Sequence, residues 1–100
     1  MTEMPPPGPE SFRPHVGSEF AVDHRGEPIL LRLADVVDRG TASGMHQFVL
    51  LFHGPAGSVL PDAIYALQHP ALGTLEIFIA PIVGSDSVRT VYQACFSRPA

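Results

Sequence analysis

Ile29-Leu30-Leu31-Arg32-Leu33-Ala34-Asp35-Val36-Val37 is the stretch on which the fold class turns. Ile29, Leu31 and Leu33 fall on one side of an extended chain, and Leu30, Arg32 and Ala34 on the other. Alternation at every second position marks a half-buried β-strand, because successive side chains of a strand point to opposite faces. The same period recurs downstream. In His46 to His53, Phe48, Leu50 and Phe52 line one face and Val49 and Leu51 the other. A strand apolar on both sides is central or covered twice.

Further strands are expected at Glu19–Asp23, Ile64–His69, Leu75–Val83 and Arg89–Ser97. In the fifth, Leu75, Ile77 and Ile79 oppose Glu76, Phe78 and Ala80. In the sixth, Tyr92, Ala94 and Phe96 share a side. Turns are expected at Arg25-Gly26-Glu27-Pro28, Gly54-Pro55-Ala56-Gly57, Pro70-Ala71-Leu72-Gly73 and Gly84–Ser87. At the third of these, Gly73 is expected to take the left-handed conformation. Asp38 to Met45, rich in Gly, Ser and Thr, reads as a mobile loop. Pro81 cannot donate to a ladder, so the end of the fifth strand reads as an edge or a bulge. Short connections favour a meander of consecutive neighbours. The expectation is an all-β domain: a small antiparallel sandwich or barrel of about six strands, with a short N-terminal helical turn capped by Ser11.

One hundred residues suffice for one domain of this kind. Residues 1–10, with Pro5, Pro6, Pro7 and Pro9, read as a disordered proline-rich tail, and 11–100 as a single β domain. The net charge is -4, and the six basic residues are all arginine, scattered at Arg13, Arg25, Arg32, Arg39, Arg89 and Arg98. With no basic cluster, a nucleic-acid surface is not expected. Leu75 to Val83 contains Glu76 and is too short to span a bilayer as a helix, and the N-terminus has no signal character, so no membrane role is expected. The single cysteine, Cys95, suits a reducing compartment and a cytoplasmic location.

The strands together resemble a known pattern. Phe12, Val16-Gly17-Ser18 and Phe20 open it, and Phe48-Val49-Leu50-Leu51-Phe52-His53-Gly54-Pro55 follows. Tyr65-Ala66-Leu67-Gln68-His69-Pro70-Ala71-Leu72-Gly73 then runs into Leu75–Ile82, and Tyr92-Gln93-Ala94-Cys95-Phe96 closes it. This resembles an uncharacterised bacterial family of small β-rich proteins, a domain of unknown function, over residues 11–97. The resemblance implies a compact β domain and no activity, substrate or catalytic residue. It also implies an association with phage-tail-like or structural assemblies. His15 and Cys95 depart from the aliphatic residues expected at their positions.

The chemistry-bearing residues do not converge in the sequence. His15, His24, His46, His53 and His69 lack metal-ligand spacing, so no metal and no cofactor are expected. His46 and His53, seven apart, point to opposite faces. His69, before Pro70, is expected to bond to the turn backbone. Cys95 reads as a buried or half-buried structural thiol. No serine sits in Gly-x-Ser-x-Gly. Asp35 and Asp38 near a strand end, and Asp62 and Glu76 on separate elements, read as solvated acids. Gly54-Pro55-Ala56-Gly57 lacks the lysine of a phosphate loop.

The leading functional expectation is a non-catalytic protein-interaction or assembly module, with a protein partner or self-association. Its surface is expected at Val49, Leu51 and Phe78, which lie opposite the presumed core. Alternatively those residues form a second core beneath the N-terminal segment, with Phe12 packed there. Edge strands around Pro81 and Glu19 offer a further place for a partner strand. A small-ligand-binding β-barrel, with His53, Tyr65, His69 and Tyr92 at its mouth, is the second expectation. An enzyme assembled from distant strands is the third.

Overall fold

A computed structural model describes residues 8–55, 60–82 and 89–99. Six strands follow a short helix, α1 (Pro9–Phe12), and a 3₁₀ turn (Arg13–His15). They are β1 (Glu19–His24), β2 (Glu27–Ala42), β3 (Met45–Pro55), β4 (Ala63–His69), β5 (Gly73–Pro81) and β6 (Arg89–Pro99). They close into an antiparallel barrel in the order β1-β2-β3-β6-β5-β4. The expected all-β fold is therefore the barrel of the two forms considered.

Turn chemistry sets the register of the first two hairpins. Arg25 and Gly26 (φ 55° and 82°) join β1 to β2, and Ser43 and Gly44 (φ 53° and 78°) join β2 to β3. Positive φ at both central residues gives the turn whose twist matches that of paired strands. The expected four-residue turn thus shrinks to two residues, and Glu27 and Pro28 pair with His24 and Asp23. The expected mobile loop at Asp38–Met45 is likewise corrected. The tight turn lets Thr41 pair with His46 and Ala42 with Met45. Gly73 has φ 75° and closes the β4–β5 turn as expected.

β2 is the longest strand, with 16 residues, and bends around the barrel. Register shifts lie between Leu33 and Asp35 and between Asp38 and Gly40. An extra residue at each bulge increases local twist and exchanges inward for outward positions. Ile29, Leu31 and Leu33 point inward before the first bulge, and Val36 after it.

The meander expectation fails at β3. The chain leaves β3 for β4 on the far side, and β6 fills the place beside β3 over eleven rungs, from Met45↔Pro99 to Pro55↔Arg89. Closure also corrects the expected edges. Glu19 pairs with Arg32, and Pro81 with Tyr92 at the last rung of β5. The β4–β5 hairpin is nonetheless held by narrow seams. Two rungs join it to β1 (Ala21↔Gln68, Val22↔Leu67) and two to β6 (Ala80↔Gln93, Pro81↔Tyr92). β5 stops at Pro81, two residues before the expected end; residues 83–88, with the expected Gly84–Ser87 turn, lie outside the described residues.

The interior is filled by alternate residues of every strand: Phe20, Val22, Leu31, Leu33, Leu50, Phe52, Leu67, Ile79 and Tyr92 are all at or near zero exposure. Phe20 meets Phe52 edge to face at 5.4 Å, a preferred aromatic geometry. Gly54, on the inward face of β3, leaves room for neighbours. A Cβ there would lie 2.8 Å from Leu31 Cδ2 and 3.0 Å from Tyr92 Cε2.

The two ends of the barrel are closed by residues outside the strands. α1 begins at Pro9, with Gly8 as its N-cap, rather than at Ser11. Pro9, within the segment expected as a tail, is helical and buried, and residues 1–7 lie outside the described residues. α1 drives Phe12 into the barrel, 6.3 Å from Phe48 and 6.0 Å from Phe96, which stack on each other at 4.8 Å. Phe12 therefore belongs to the one core, not to a second core under the outer face. At the opposite end Leu60 is fully buried.

Candidate functional site

At the helical end of the barrel, two polar clusters fix the N-terminal segment. In the first, Asp38 Oδ1 accepts the Gly40 N–H (2.8 Å) and faces His46 Nε2 at 2.8 Å. On its other side His46 Nδ1 faces Arg98, which has only donors, with Nε at 3.4 Å. The proton of His46 is therefore on Nε2 and is donated to Asp38. Arg98 reaches on to Glu10 at 3.4 Å, and Arg13 lies 3.9 Å from Asp38. The Gly40 N–H, then His46, hold the Asp38 carboxyl below its ordinary range. Glu10 is lowered first by a backbone hydrogen bond within α1 and then by Arg98. Here lies an open groove of about 430 Å³, lined by Asp38, Thr41, His46 and Arg98.

In the second cluster, His69 is only 7% exposed. Its Nδ1 accepts the N–H groups of Ala71 (3.0 Å) and Leu72 (3.3 Å), which is the backbone role expected of it. Its Nε2 therefore carries the proton and donates to Ser18 Oγ at 2.9 Å. Ser18 in turn donates to the His15 carbonyl at 2.5 Å. A Ser–His pair acts as nucleophile and base only when the imidazole accepts the hydroxyl proton. This pair runs the other way, so it pins β1 to the β4–β5 turn and does not activate Ser18. Burial, then the neighbouring His15, holds the imidazole below its ordinary value. His15 sits edge-on at 4.7 Å, and Phe20 at 4.6 Å.

The other residues expected to bind a ligand lie elsewhere. Tyr92 is buried, and its hydroxyl accepts the Leu60 N–H at 2.8 Å. The Tyr65 hydroxyl donates to the Pro61 carbonyl at 2.6 Å. Burial raises the Tyr65 phenol above its ordinary value. These two tyrosines clasp the segment before β4, at the end opposite His69. His53 alternates onto the outer face of β3. The four residues do not share a barrel mouth, and the interior between them is occupied by core side chains. Among the described residues no group of three His, Cys, Asp or Glu could hold a metal ion. No helix among them is long and apolar enough to cross a membrane.

The outer face divides the expected interaction residues. Val49 is 6% exposed and Leu51 half-buried, because Val37 and Cys95 occupy the flanking positions of Val49 on β2 and β6. Cys95 is exposed, correcting the expected buried thiol. Its strand position faces outward, beside Gln47, Val49 and Ser97 in a shallow groove of about 290 Å³.

Phe78 does stand out, on the opposite wall. It is 53% exposed and pairs across the β4–β5 ladder with Ile64, which is 67% exposed. Ile64 was not among the expected interaction residues. The signal for it was present in the turn: once Gly73 pairs with His69, position 64 must oppose 78. Leu30, 50% exposed, extends the same wall on β2, opposite Ala21 of β1. Among the described residues, three of the four exposed large apolar side chains thus lie outward on β2, β4 and β5, with β1 between β2 and β4.

A family model described as "Domain of unknown function (DUF6916)" matches residues 7–96 of the chain. No curated protein and no solved structure matches the chain.

Proposed function

Since the chain belongs to the DUF6916 family of domains of unknown function, we propose that it is a non-catalytic interaction or assembly module that docks a protein on the outer face of its β4–β5 hairpin. The observation that carries this reading is the Ile64–Phe78 pair, two large apolar side chains opposite each other and both more than half exposed. Neither contributes much to the core, so neither is explained by folding. Full burial of such side chains is worth roughly 1.5–3 kcal/mol each. That is enough to anchor an interface once the rim excludes water. The filled interior and the tautomer of His69 support the non-catalytic part. The one exposed thiol, Cys95, is in keeping with action in the cytoplasm.

A photo-reactive residue placed at position 78 tests this. In producing cells it is expected to give a discrete adduct, identifiable by mass spectrometry as a defined protein or as a second copy. The same residue at Thr41, exposed at the helical end, should not yield that adduct. No adduct from 78, or the same adducts from both positions, would refute the docking reading.

A further inference from the structure

We propose that the partner on this face is a basic polypeptide segment, with one large apolar side chain seated against Ile64 and Phe78 and flanked by lysine or arginine. This rests on the docking reading and adds the chemistry of the occupant. Ala66 pairs with Glu76, one rung from Leu67↔Leu75. Val22 pairs with Leu67, which brings Asp23 beside Ala66. Asp23 and Glu76 are both exposed and flank Ala66 on the outer wall, next to the Ile64–Phe78 rung. Strands lie about 4.8 Å apart, so the two carboxylates are roughly 10 Å from each other.

Neither acid forms an ion pair among the described residues. Arg32 lies opposite Glu19 at the far end of β1, and Arg25, in the turn after β1, pairs with neither acid. The apolar rung thus borders two carboxylates with no ion-pair partner among the described residues, on a chain whose net charge is already -4. A second copy would bring the same acids to the interface, and like charges there select against it. A basic segment satisfies both features: its apolar side chain supplies affinity, and its cations supply register and choice of partner.

The probe is a phage-displayed library of random short peptides. It is selected on the full chain and depleted on the Phe78→Ser variant, with Ile64→Thr as a second depletion target and folding of each checked by circular dichroism. Enriched peptides are expected to place an aromatic or aliphatic residue among lysines or arginines. A synthetic lead should bind about tenfold more weakly to the Asp23→Asn/Glu76→Gln double variant. Peptides that depend on Phe78 but are neutral or acidic, or that bind the double variant equally, would overturn the charge inference and leave the docking reading standing. Absence of any Phe78-dependent peptide would overturn both. Purified chain already occluding the face with its own copy, seen as a dimer that Phe78→Ser dissolves, would overturn the basic-segment inference alone, since a second copy would then be the occupant and the docking reading would stand.

Discussion

Phe12→Ala should destabilise the domain by about 3–5 kcal/mol, the usual loss for truncating a fully buried phenylalanine. Phe12 is not part of any strand, yet it has zero exposure and rests on Phe48 and Phe96. Its removal opens a cavity at the end of the barrel, between α1 and the Phe48–Phe96 stack. A chain of 100 residues has roughly 5–15 kcal/mol of stability in total. The variant should therefore melt some 15 °C or more below the parent. Phe12→Leu, which keeps most of the volume, should lose far less. Urea unfolding followed by circular dichroism measures both. If Phe12→Ala unfolds at the parent midpoint, the helical segment does not plug the barrel.

His69→Ala should cost about 2–3 kcal/mol, because it strips the acceptor from two turn amides, Ala71 and Leu72, and the donor from Ser18. His69→Asn should recover part of this, since an asparagine carbonyl can accept the amide two residues on. The parent should also show a pH dependence that both variants lack. Burial lowers the folded imidazole below its ordinary 6.5. Below about pH 6.5 the unfolded chain takes up a proton that the folded chain refuses, so the unfolded state binds more protons. The contribution of His69 is therefore complete above 6.5 and is lost as pH falls from there through the lower folded value. Asp38 and Glu10, held below 3.8 and 4.5, act only at more acidic pH. A parent midpoint flat from about pH 7.5 down to about pH 5, a range that runs from above the ordinary histidine value to well below it, would contradict this account of the site.

The alternation of Ile29, Leu31 and Leu33, and of Phe48, Leu50 and Phe52, was legible because the pleat forces a period of two wherever one face is buried. Closure was not legible. Strand order depends on where the β3–β4 connection lands, and the residues between Pro55 and Ala63 carry no local signal for that. The loop expected at Asp38–Met45 shows the limit of composition: Gly and Ser indicated a turn, but two residues in the left-handed region suffice, and the strands run up to them. That short turn is also what brings Asp38 and His46 together, eight positions apart in sequence. His69 was legible through Pro70, which fixes the turn whose amides the ring accepts. The outer face was legible only by halves. Parity placed Phe78 outward, and it placed Val49 outward as well. Burial of Val49 follows from its neighbours Val37 and Cys95, a consequence of register that no single strand displays. The four residues expected around a ligand were each plausible alone, but two ends and an outer wall of a filled barrel hold them apart.

The central claim is that Ile64 and Phe78 face outward for a partner and not for the fold, and equilibrium unfolding of the Ile64→Thr/Phe78→Ser double variant tests it most directly. The account predicts a stability within about 0.5 kcal/mol of the parent for each substitution, as for surface positions generally. A loss of several kcal/mol, approaching that of Phe12→Ala, would mean that the pair is structural and would contradict the account.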